Sequence, residues 1–143
     1  VSDTANAILA DLLAAVRGSG HFAAVVSGPQ AAETALPQAT LSIENIEEFP
    51  SDESPAGRWF RLRASLRVTT RDDNSPAAVG RAVELAQLAA DAIAADPLRS
   101  SLTCDLPIGL ATEIDRIEMP RLQSAPLAEA TLSIRCHYES EAN

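Results

Sequence analysis

Residues Arg58–Arg71 read RWFRLRASLRVTTR, a long stretch of strict alternation. Phe60, Leu62, Ala64, Leu66 and Val68 fall on one side of it, and Trp59, Arg61, Arg63, Ser65, Arg67, Thr69 and Arg71 on the other. A period of two is the signature of a strand buried on one face only. Here the second face is a ladder of arginines. The chain has a formal net charge of −9 and all eleven of its basic residues are arginine. These guanidinium groups therefore need carboxylates from the same chain or from a neighbour, which directs the strand towards sheet pairing and assembly rather than chemistry.

Upstream, Gln38–Ile46 alternates again, with Ala39, Leu41 and Ile43 opposed to Thr40, Ser42 and Glu44. The acidic run EEFPSDESPAG follows, and its prolines and glycine mark it as a loop. The two alternating runs are expected to form a hairpin with a longer connection than a tight turn. Downstream, Asp72-Asp73-Asn74-Ser75 ends the strand. Ser75 at the N-cap with Pro76 at the first helical position predicts a helix start, with the aspartates favoured there by the helix dipole. Val79, Val83, Ala86, Ala90 and Ile93 would line its buried face, with Ala82, Leu85 and Ala89 beside them, until Asp96-Pro97. About nineteen residues at ~1.5 Å each give a rod of roughly 28 Å, enough to cover a small sheet.

Towards the start of the chain, Ile8, Leu9, Leu12, Leu13 and Val16 predict an amphipathic helix from Asp3 or Thr4 to Arg17, stopped by Gly18-Ser19-Gly20. Phe22–Val26 reads as a brief strand and 30–37 as a loop. Beyond a linker at 102–109, Leu110–Met119 is a strand of weaker pattern and Pro120–Pro126 a turn. Leu127–Tyr138 then alternates cleanly, with Ala128, Ala130, Leu132, Ile134, Cys136 and Tyr138 on the apolar side. The expected fold is a single α+β domain over residues 1–143, a mostly antiparallel sheet of about four to five strands packed by two helices.

Composition narrows the function classes. The apolar fraction of 46% and mean hydropathy of +0.01 suit a folded, soluble domain. Aromatics make up only 3%, so the core is thin and assembly becomes an attractive source of stability. A pI near 4.6 opposes phosphate binding through clustered positive charge. No segment approaches the ~20 apolar residues of a membrane span, and the opening stretch lacks the basic region of a signal peptide. Cys104 and Cys136 occupy no metal-ligand spacing and are expected to be reduced thiols.

Candidate sites are few. His137 lies on the polar side of the last strand, two residues from Glu139, as a surface histidine with a carboxylate neighbour would. Glu44, Glu47, Glu48, Asp52 and Glu53 form the densest acidic cluster but lack the spacing of a calcium loop. No nucleophile elbow, P-loop or dinucleotide-binding turn occurs, so no enzyme chemistry, cofactor or metal is expected. For the arginine ladder two uses remain open: pairing within the sheet, for example with Glu44, Glu129 or Glu139, or contact between subunits.

The succession of AILADLLAAV, WFRLRASLRVTTR, SPAAVGRAVELAQLAADAIAADP and PLAEATLSIRCHYE resembles the tail terminator (tail completion) proteins of long-tailed bacteriophages and phage-like particles, with phage, gene transfer agent and injection device all left open. The resemblance runs over nearly the whole chain. It implies a virion protein, assembled in the bacterial cytoplasm, that forms a ring, commonly a hexamer, on the head-proximal end of the tail tube. Its partners would be further copies of itself, the tail tube protein and a head–neck connector, with DNA passing through the lumen unbound and no membrane involved. By that analogy Arg61, Arg63, Arg67 and Arg71, with Glu47, Glu48, Asp52 and Glu53, are candidate ring or tube contacts. The alternatives are another neck, connector or tube subunit, a cytoplasmic ligand-binding or regulatory domain, or a small enzyme with a site assembled between subunits.

Overall fold

The computed structural model describes residues 3–28, 36–49, 57–72, 74–95, 111–122 and 127–141. In chain order these form α1 (Asp3–Gly18), β1 (Ala24–Ser27), β2 (Gln38–Phe49), β3 (Gly57–Arg71), α2 (Ser75–Ala94), β4 (Ala111–Leu122) and β5 (Leu127–Glu141). The strands make one five-stranded sheet in the order β1-β2-β3-β5-β4. All neighbours run antiparallel except β1, which lies parallel to Gln38–Leu41 of β2. The expected α+β class and the β2–β3 hairpin are present, and the arginine strand lies at the centre of the sheet.

The alternation of β3 and β5 does what its period dictates. Leu62, Ala64, Leu66 and Val68 of β3 and Ala128, Ala130, Leu132, Ile134, Cys136 and Tyr138 of β5 are buried in one cluster with α1 and α2. Phe60 stacks on Tyr138 with ring centroids 5.5 Å apart. Both helices cover this face, α2 across β3, β4 and β5, and α1 against β1, β2 and α2. The contact stripe of α2 is Ala78, Ala82, Leu85, Ala86, Ala89 and Ile93, whereas Val79 and Ala90 are only partly buried. The helix is thus rotated from the valine-centred face the sequence suggests. Small alanine side chains let the helix axis approach the sheet, and the bulkier valines lie at the flank.

The boundaries depart from expectation in five places, the first being that β5 runs past Tyr138 to Glu141. Asn74, not Ser75, is the N-cap of α2, and its carbonyl accepts from the Ala78 N–H at 3.0 Å. Asp72 Oδ1 accepts from the Asn74 N–H at 2.9 Å, so the aspartate turns the chain into the helix. β1 begins at Ala24, two residues later than expected. β4 runs through Pro120 to Leu122, where a turn was expected, because Pro120 falls at a register shift of an edge strand and no ladder hydrogen bond is forfeited. β2 runs on to Phe49 and takes in Glu47 and Glu48, which the sequence places in a loop.

The last departure has a local cause. The register slips between Ile43 and Asn45, making Glu44 an extra residue. Ile43 pairs with Ala64 and Ile46 with Leu62, so two isoleucines three apart both reach the core side. A bulge of this kind restores the inside–outside phase that strict alternation would lose. β4 does the same at Ile114 and Ile117 with Asp115 as the extra residue. At the other end, α1 closes on Ser19, whose Oγ donates to the Val16 carbonyl at 2.6 Å, and on Gly20 at φ 75°.

Leu132 is fully buried at the middle of β5. Leu132→Ala is expected to cost about 2–5 kcal/mol, measured as a fall in the urea midpoint with an unchanged m-value; a loss under about 0.5 kcal/mol would contradict the packing described.

Candidate functional site

The second face of the sheet is not covered by any described element, and the ladder lies there. Register places its side chains in transverse rows. Glu47, Arg61 and His137 share one row; Asn45, Arg63, Arg135 and Glu113 the next. Ser42, Ser65, Ser133 and Arg116 follow, and then Thr40, Arg67, Thr131 and Glu118.

In the second row Arg63 stands directly opposite Arg135, and like charges in direct cross-strand register repel. The bulge residue Asp115 resolves this. Its Oδ2 lies 3.7 Å from Arg63 Nη1 and its Oδ1 3.4 Å from Arg135 Nη2. Arg135 Nη2 also donates to Glu113 Oε2. That contact holds the Glu113 carboxyl below the usual carboxylate range and raises the Arg135 guanidinium above its own. Arg67 Nε approaches Glu129 Oε2 at 3.8 Å, one of the intrachain pairings the sequence suggests. The Asp115 bulge of β4 reaches across β5 to Arg63; the side chain of Glu139 lies outside the described residues.

Arg61 Nε donates to His137 Nε2 at 3.2 Å. One hydrogen-bonding neighbour of His137 is thus a cation. An acceptor at Nε2 places the imidazole proton on Nδ1 and requires the neutral ring. Burial and then the charges of Arg61 and Arg135 lower its pKa, with Glu113 and Asp115 opposing.

The candidate contacts do not all meet. Arg61, Arg63 and Arg67 stand on the open face, with Glu47 in register opposite Arg61. Glu48 lies opposite Phe60, and Arg71 stands at the far end of β3 beside Arg81 of α2, lining a separate recess. Asp52, Glu53 and Cys104 lie outside the described residues; Cys136 is buried and its thiol donates to Thr112 Oγ1 at 3.6 Å. Sequence reasoning missed Arg135, Arg116, Asp115 and Glu113. For Asp115 and Arg116 the sequence carries a trace of the bulge but not of its partners: IDRI at 114–117 repeats the spacing of IENI at 43–46, two isoleucines three apart around an acidic residue.

Two shallow recesses open on this face. One, of about 370 Å³, is lined by Glu44, Arg63, Asp115, Arg116, Ser133 and Arg135. The other, of about 300 Å³, is lined by Ser42, Ser65, Arg67, Glu129 and Thr131. Among the described residues no three His, Cys, Asp or Glu side chains gather as a metal site would require, and no helix is long and apolar enough to cross a membrane. The arrangement is an ionic, hydroxyl-bearing surface.

Two helices on one face of a mostly antiparallel sheet, with the other face open and charged, define an architecture to set beside known proteins. No family model and no curated protein sequence matches the chain. Among solved structures, a chain of the "Virion of native gene transfer agent (GTA) particle" is similar in fold, with TM-score 0.60 and 14% identity over 98% of this chain and 100% of that one. At that identity the likeness is one of fold.

Two outcomes follow from this geometry. Asp115→Ala leaves Arg63 and Arg135 facing each other and is expected to cost about 1 kcal/mol in low-salt urea unfolding, shrinking in 1 M salt. Glu118→Ala, which removes an exposed pair with Arg116, should cost little; equal costs would count against the bridging role. For His137 the folded pKa lies below the ordinary 6.5. Its contribution to stability is complete above that value and is lost as the pH falls through the folded one. An NMR titration of its ring protons should therefore show a midpoint below 6.5, and Arg61→Gln should raise it; a midpoint at or above the ordinary value would refute the assignment.

Proposed function

We propose that this chain is a structural subunit of a phage-like particle, and within it a tail terminator. It would close a ring, a hexamer by the resemblance above, on the head-proximal end of the tail tube, stop tube growth and present a surface to the head–neck connector. The observation that carries this reading is the fold likeness to a gene transfer agent virion chain along the full length of both chains. The open sheet face agrees with it: ionic, with side chains held in register, and suited to recognition between rigid surfaces rather than to bond chemistry. The mechanism is interface complementarity, with no reaction catalysed. Arg61, Arg63, Arg67 and Arg71, together with Glu47, Glu48, Asp52 and Glu53, are the proposed ring or tube contacts. DNA crosses the lumen without specific binding, as the net charge of −9 favours.

The likeness is to a particle and does not specify a place within it, so a neck, connector or tube subunit is the second reading. Native mass spectrometry of the chain alone and with tail tubes, joined to electron microscopy of tube ends, separates the two. A terminator gives a closed ring and caps one end of tubes of fixed length. A chain that polymerises into tubes itself supports the second reading. A chain that remains monomeric and leaves tube ends bare ends the first.

A further inference from the structure

Arg61 stands at the centre of a row of three strands, with Glu47 of β2 directly opposite on one side and His137 of β5 directly opposite on the other. Directly opposed residues share a face of the sheet and have Cβ atoms about 5 Å apart. One guanidinium therefore has two neighbours within the swing of its side chain. In the structure its Nε donates to the imidazole, at 3.2 Å from His137 Nε2. Glu47 is exposed and has no ion pair among the described residues. A cation thus leans on a neutral ring while a carboxylate faces it from the adjacent strand.

This contact depends on the protonation state of the ring. A guanidinium has donors only. An imidazole with Nε2 unprotonated can accept from it, whereas an imidazolium carries N–H groups at both positions and has nothing to accept with. In the acid form two donors and two positive charges would meet at the Arg61–His137 contact, so the hydrogen bond cannot persist there.

The surrounding charges decide where the guanidinium goes. Burial, then Arg61 of β3 and Arg135 of β5, oppose the charged imidazole, while Glu113 and Asp115 of β4 favour it. Glu113 accepts from Arg135, and Asp115 lies between Arg135 and Arg63. Glu139 follows two residues on along β5, and Glu47 completes the row on β2. Both helices pack on the opposite face of the sheet. Among the described side chains, Glu47 is the carboxylate that stands in register with Arg61 and has no ion pair.

We propose that the Arg61 side chain is the moving arm of a proton switch: when His137 takes up a proton, the guanidinium leaves the ring and pairs with Glu47 on the other side of β3. The exchange neutralises an exposed carboxylate and leaves an imidazolium at the other end of the row. This end of the open face thereby gains a positive charge and reverses the direction of its ion pairing. The transition falls below pH 6.5, since the surroundings hold the ring neutral at its ordinary midpoint. It is a property of the single chain and does not depend on the ring reading.

Side-chain NMR of the full chain tests it, at a dilution where light scattering shows one oligomeric state from about pH 8 to about pH 5. The Arg61 Nε–H resonance, assigned by its loss in Arg61→Gln, should shift with the same midpoint as the His137 ring protons. Glu47→Gln should lower that midpoint by roughly 0.2–0.7 pH units, the worth of an exposed ion pair, because the acid form loses its acceptor. In an Arg61→Gln background Glu47→Gln should move the midpoint less than about half as far. His137→Gln offers a neutral acceptor at every pH and should hold the Arg61 resonance constant over the range. Circular dichroism checks each fold; if Arg61→Gln does not fold, Arg61→Met replaces it.

An Arg61 resonance that ignores the ring titration overturns the switch. A midpoint unmoved by Glu47→Gln overturns it as well, because the guanidinium then has another acceptor, such as Glu139. Equal shifts with and without Arg61 also overturn it, since Glu47 would then act on the ring through its charge alone. A parent chain that unfolds before the ring titrates has no folded acid form, and the switch falls with it. Each of these results leaves the ring reading untouched.

Discussion

The pairing of β3 with β5 over fifteen consecutive residues, Gly57↔Glu141 to Arg71↔Leu127, is the constraint on which the other features depend. It aligns two apolar faces so that both helices have a continuous surface to cover. The same register sets Arg63 against Arg135, with no freedom to slide, because a one-residue slip would turn the core residues out to solvent. A repulsion that cannot be relieved along the strands has to be relieved from the side. β4 does so through the bulge at Asp115, whose two carboxylate oxygens face one arginine each. The partly exposed ion pairs are weak individually. Their consequence is specificity, since one carboxylate fixes the relation of three strands.

The parts of the fold carried by strong periodicity were legible. β3 and β5 keep strict alternation because each is buried on one face along its whole length. Apolar spacing likewise gave the existence of α1 and α2. What escaped was phase. A bulge adds one residue and shifts the pattern by one, so IENI and IDRI read as the end of one strand and as a weak strand, while in space both keep their isoleucines inside. The face of α2 was misjudged for a related reason. Hydrophobicity ranks valine above alanine, but closeness to a flat sheet favours alanine, and only the packed structure shows which demand prevails.

The candidate site was half legible. Arginines on alternate residues of one strand declare an ionic face, yet their partners depend on strand order, which local pattern does not encode. Glu129 was within reach of reasoning because β5 itself alternates. Asp115 was not, because it is separated from Arg63 by an intervening strand and by the bulge that lifts it onto that face. His137 shows the same gap. Local pattern sets it beside Glu139, while only the register shows that it also stands across from Arg61, where a proton would place two cations in contact.

An all-arginine basic set has a physical consequence whatever its origin in coding. A lysine ammonium at residue 135 would act as a point charge on a flexible stem, while the planar fork of Arg135 contacts Glu113 and Asp115 together and still holds Nε in reserve. A sheet face built from such forks is stiff, and its unmet donors point in fixed directions. Stiffness lowers the ordering cost of binding a second surface. The ladder thus keeps its guanidinium groups in register, spaced by the strands themselves and partly neutralised by carboxylates of β4 and β5.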